Sequence, residues 1–96
     1  MDLHELTVAT FEPRVGDSFT IDAAPLLVEL VLESANVAGE RPGGREPFSL
    51  VFRGPLQPLL AQAIYRLEHA DLGALEIFIV PVGQDADSTS YEAIFT

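Results

Sequence analysis

The chain has 96 residues, enough for one domain and one core but not for a deep active-site cavity beside that core. Hydrophobic residues make up 48% and charged residues 21%, the balance of a globular chain and not of a disordered one. Fifteen acidic residues against five arginines and no lysine give a formal net charge of −10, which argues against nucleic acid and anionic membranes as partners.

The missing residue types exclude chemistry as well. Without lysine there is no P-loop and no Schiff base. Without cysteine there is no disulfide, no thiolate nucleophile and no sulfur-ligated zinc. The first ten residues, MDLHELTVAT, carry two acids where a secretory signal has a basic region, and the longest apolar run is too short to span a bilayer as a helix. The expected compartment is the cytoplasm.

In chain order, 6–11 reads as a first strand, followed by a turn at 12–17 carrying Pro13 and Gly16. Strands are expected at 18–22, with Phe19 and Ile21 on one face, and at 26–37. In the latter, Leu26, Val28, Leu30 and Leu32 lie on one face and Leu27, Glu29, Val31 and Glu33 on the other. Residues 39–47, GERPGGREP, hold three glycines and two prolines and read as a mobile loop. A strand at 48–52 turns Phe48, Leu50 and Phe52 inward.

Residues 56–69 are ambiguous. Leu56, Leu60, Ile64 and Leu67 have helical spacing, yet 64–67 also reads as a strand. The favoured reading is a short helical turn near 56–61 and a strand near 62–68. The strongest strand is LEIFIVPV at 75–82, with Pro81 marking its end or an edge. A polar tip, GQDADSTS, leads to a last strand at 91–95. These elements predict an all-β single domain, 1–96: a small antiparallel barrel or sandwich of about seven strands with at most one short helical turn.

Candidate chemistry is sparse. Asp85 and Asp87 resemble part of a calcium loop but lack its glycine and third early carboxylate, so capping of the hairpin tip is the better reading. His4 and His69 are the only imidazoles, and His69, two residues before Asp71, is expected to bond a turn backbone group. Glu29 and Glu33 read as gatekeepers on an apolar strand, and Arg53 and Arg66 as members of ion pairs. No G-x-S-x-G elbow is present. The residues point to no cofactor and no metal.

One pattern is less ordinary. LEIFIVPV is apolar on both faces, with Leu75, Ile77 and Ile79 on one and Phe78, Val80 and Val82 on the other. Val31, Leu27 and Val51 are likewise apolar on the nominally outer faces of their strands. An antiparallel sheet with one wet face should alternate cleanly. Either the sheet folds over itself, or another chain covers the second face.

FSLVFRGP (48–55), QAIYRLEHADLGALEIFIVPVG (62–83) and YEAIF (91–95) resemble a family of short bacterial proteins of unknown function, with FSLxFRGP, YRLEHxxLG, IFxVPVG and YEAxF motifs. TFEPRVGDSFTI (10–21) resembles the start of that family. The resemblance implies a gene neighbourhood beside phage-tail-collar fibre proteins; no catalytic residues are established for the family, and none are carried over. Together these readings favour a non-catalytic protein-interaction module, an accessory or assembly factor for tail-like fibres. Phe78, Val80, Val31 and Val51 are its candidate contacts with a fibre-like protein or a second copy of the chain. The alternative is a small ligand-binding barrel or enzyme using His69 with nearby carboxylates and Tyr65.

Overall fold

The computed structural model describes residues 6–23, 26–37 and 47–95. A short helix α1 (Val8–Phe11) runs into a single 3-10 turn (Glu12–Arg14). Six strands follow: β1 (Ser18–Ala23), β2 (Leu26–Val37), β3 (Phe48–Gly54), β4 (Ala63–His69), β5 (Gly73–Gln84) and β6 (Thr89–Phe95). They close into an antiparallel barrel in the order β1-β2-β3-β6-β5-β4, with β4 returning to β1. The sheet therefore does fold over itself, and it does so as a barrel.

Alternation sets the wall. Phe19 and Ile21 on β1, Val28, Leu30 and Leu32 on β2, and Phe48, Leu50 and Phe52 on β3 are buried. Leu75, Ile77 and Ile79 on β5 and Tyr91, Ala93 and Phe95 on β6 complete the core with Leu67 of β4. Closing the sheet removes most of the free edge that an open sheet of this size would leave, residues 26–30 of β2 staying unpaired on the β3 side.

Two expected elements take another form. Residues 6–11 do not make a strand. Thr7 is extended, the Thr10 hydroxyl accepts a hydrogen bond from the Thr7 N–H at 3.2 Å, and α1 begins there. The gain is packing: Phe11 caps one end of the barrel against Phe19, Phe48 and Phe95, with ring centroids 5.9–6.4 Å away. A strand at this position would hold Phe11 in the wall.

Nor is there a helical turn at 56–61. β3 and β4 are not neighbours in the barrel, so the segment between them must cross the opposite end. It does so as irregular chain, with Pro55 and Pro58 blocking helical hydrogen bonds. Leu60 is buried under it, and the Leu60 N–H donates to the Tyr91 hydroxyl at 3.0 Å. The strand expected at 62–68 is β4. Pro81 lies within β5, beyond the last residue paired with β4 and at the irregular step in the β5–β6 pairing, where the ladder already breaks. Of the loop expected at 39–47, all but Pro47 lies outside the described residues, as does His4.

Candidate functional site

The outer wall keeps the second apolar face. Phe78 on β5 is 51% exposed, and Ile64, opposite it on β4, is 67% exposed. Ile94 on β6, two residues along from the Val80–Glu92 pair, is 62% exposed. The three form an apolar strip across β4, β5 and β6. Ile64 and Ile94 were absent from the candidate contacts. Ile64 lay in the ambiguous segment, and Ile94 occupies the outward position of YEAIF, where alternation could have found it.

The other candidates are half-buried. Val80 and Val51 lie on either side of Glu92, in register across β5, β6 and β3. Val31 stands apart, opposite Arg53 on the far side of β3. The strip is bordered by Glu76, Glu92 and Arg66, and Arg66 lies 3.8 Å from Glu68. Arg53 lies 3.7 Å from Glu33. Both arginines are thus in ion pairs, and both pairs are exposed.

His69 is buried at the seam where β4 meets β1, a seam with only two register pairs, Thr20 with Glu68 and Ile21 with Leu67. Its Nδ1 accepts from the backbone N–H of Asp71 at 3.0 Å and of Leu72 at 3.2 Å. An acceptor of two N–H groups carries no proton, so the proton sits on Nε2 and is donated to Asp17 Oδ2 at 2.8 Å. The ring also packs on Phe19, centroid to centroid 4.6 Å. The turn bonds were expected; Asp17, 52 residues away in sequence, was not. Both ring nitrogens are thus engaged within the protein. Tyr65, on the same inward face of β4 as His69, donates its hydroxyl to the Ala61 carbonyl at 2.7 Å.

At the β5–β6 tip, Asp85 Oδ1 accepts from the Asp87 N–H at 2.8 Å, the Ser88 N–H at 2.7 Å and the Ser88 hydroxyl at 3.1 Å. The Asp87 N–H bond above all, then those from Ser88, hold the Asp85 carboxyl below the usual aspartate range. This is the capping arrangement expected of the tip. Among the described residues no cluster of three or more histidines and acids could hold a metal ion.

A groove of about 490 Å³ opens where β3 ends, between Leu27, Glu29 and Val31 of β2 and Pro55, Gln57 and Pro58 of the crossing segment. Val28, Gly54 and Ser88 form its floor. The sequence held a signal for it: β2 is a long run, and Gly54-Pro55 cuts β3 short.

The fold and surface define a small closed antiparallel barrel whose described polar groups tie turns and seams together, with an apolar strip left outside. The chain belongs to the family described as domain of unknown function DUF6916, whose model matches residues 6–95. The resemblance to an uncharacterised family holds at that level. No curated protein and no solved structure matches the chain. No helix among the described residues is long and apolar enough to cross a membrane.

Proposed function

We propose that this barrel is a non-catalytic protein-interaction module and that its partner docks on Ile64, Phe78 and Ile94. The carrying observation is that these large side chains are more than half exposed on three adjacent strands of a barrel whose core is already complete. Clustered apolar groups rimmed by polar ones mark interaction surfaces. The border is acidic, with Glu68, Glu76 and Glu92 against Arg66, and the whole chain carries −10. A second copy would set acid against acid, so a partner with lysine or arginine around its apolar contacts fits better. The gene neighbourhood implied by the resemblance names the candidate: a phage-tail-collar fibre-like protein, for which this chain serves as accessory or assembly factor.

Co-expression with a phage-tail-collar fibre-like protein tests this. The wild-type chain should co-purify with the fibre, and Phe78→Asp and Ile64→Asp should each abolish capture while remaining folded. Capture that survives both changes, or a fibre that never co-purifies, would count against the proposal.

A further inference from the structure

We infer that the groove beside β2 receives an extended peptide segment of a partner, which adds to β2 as a strand. The site stands apart from the strip of Ile64, Phe78 and Ile94, and neither depends on the other.

The argument begins with register. β2 has twelve residues and β3 seven, and their pairing begins at Val31 opposite Arg53. Residues 26–30 are paired to β1 on one side only. The direction of the backbone groups follows from the next turn of the chain. Leu32 exchanges hydrogen bonds with the β1 side, its N–H donating to the Asp17 carbonyl at 3.0 Å and its carbonyl accepting from Gly16 at 2.7 Å. Alternation then aims Val28 and Leu30 at β1, and Leu27, Glu29 and Val31 at the β3 side. Consistently, the Glu29 carbonyl oxygen lies 3.8 Å from where a Cβ on Gly54 would stand.

Opposite Glu29 the ladder would need residue 55, and Pro55 has no N–H to give. No backbone hydrogen bond from the crossing segment reaches Leu27 or Glu29. These two residues therefore present two N–H groups and two carbonyls to the groove, in strand geometry, with no partner strand among the described residues. Such an open edge is what strand addition uses: main-chain bonds hold the peptide and alternate side chains select it.

The side chains state the selection. Leu27, 72% exposed, and Val31 flank Glu29 on the outer face. Glu29 has no ion-pair partner among the described residues, whereas Arg53, the cation of the groove, lies beside Glu33. The occupant that fits is an extended peptide whose outward face, every second residue, carries a lysine or arginine opposite Glu29 and, two residues along, an apolar side chain opposite Leu27. The prolines of the facing wall supply further apolar contact.

The test uses a short synthetic peptide, Thr-Val-Thr-Lys-Thr-Val-Thr, whose valines and lysine share one face, added to the full chain and followed by NMR. The amides of Leu27, Glu29 and Val31 should shift in a saturable way. Methylating the peptide nitrogens that face β2 should weaken binding at least roughly tenfold, and methylating the alternate set should leave it unchanged. Glu29→Lys, a change at an exposed position, should weaken it by a similar factor with the free spectrum otherwise preserved. Absence of saturable shifts, equal binding by both methylated peptides, or shifts centred on Phe78 would each overturn the inference. Equal binding by both would mean that charge alone brings the peptide to the surface.

Discussion

His69 shows how one side chain can serve three elements at once. Its ring closes the β4–β5 turn through Nδ1, reaches the start of β1 through Asp17 and covers Phe19. Replacing it with alanine leaves the Asp71 and Leu72 N–H groups without an acceptor, and the latter bond is buried. Each unsatisfied buried donor costs about 1–3 kcal/mol, so His69→Ala should lower stability by about 2–4 kcal/mol once the lost ring packing is included. Urea unfolding measures this. Unchanged stability would remove His69 from the seam. Nitrogen chemical shifts should independently show the proton on Nε2.

Asp85 gives the corresponding pH effect. Its carboxyl is held low by N–H groups that prefer the charged form. A depressed folded value contributes stability above the unfolded value and loses it as pH falls through the folded one. The tip should therefore stay closed until the pH drops below about 3.9, the value for a free aspartate. The Asp87 and Ser88 amide shifts report it. A midpoint at or above the free value would contradict the capping geometry.

At the scale of elements, strict alternation made β3 and β5 readable, because a strand in a closed barrel wall must place every second side chain in the core. Phe48, Leu50 and Phe52, and Leu75, Ile77 and Ile79, are all buried as their spacing required. The pattern was weaker where a segment caps an end of the barrel. Phe11 and Leu60 are apolar for the same reason as the wall residues, but their segments lie across the barrel ends and obey no strand period. The groove was readable only in part: the long run of β2 and the stop at Gly54-Pro55 are in the sequence, but which strand lies beside β2 is not. Gly54 tests the close packing at that place. It faces inward, and a Cβ there would stand 2.6 Å from Leu30 Cδ2 and 3.4 Å from Tyr91 Cε2, both on fully buried side chains. Gly54→Val should cost about 1–3 kcal/mol from overpacking. Gly83→Val, where no atom lies within 4 Å, is the control and should change little. Equal unfolding midpoints for the two would show that Leu30 has room to move.

For the whole molecule, the question is how one strand can be apolar on both sides in a single small barrel. Ile77 and Phe78 are adjacent in sequence and comparably apolar, yet Ile77 is buried and Phe78 half exposed. Closure accounts for the first: the inner face of β5 meets the inner faces of the other strands and needs no helix to cover it. It does not account for the second, which contributes little to folding of the isolated chain. Ile77→Asp would lose roughly 1.5–3 kcal/mol of burial and set a carboxylate among core side chains at a further cost of several kcal/mol. Set against a total stability of about 5–15 kcal/mol for a domain, that change should leave the chain unfolded at room temperature. Phe78→Asp places its charge in water and should leave the barrel folded, with a melting temperature within a few degrees of wild type. Circular dichroism melts combined with size-exclusion chromatography separate the outcomes. A folded Phe78→Asp that elutes as wild type does would show that the outer face is dispensable to the lone chain and free for a heterologous partner. A folded variant that elutes later than wild type would instead identify a second copy as the occupant. An unfolded Phe78→Asp would mean that Phe78 is needed for the fold itself, and the strip could not be a docking surface.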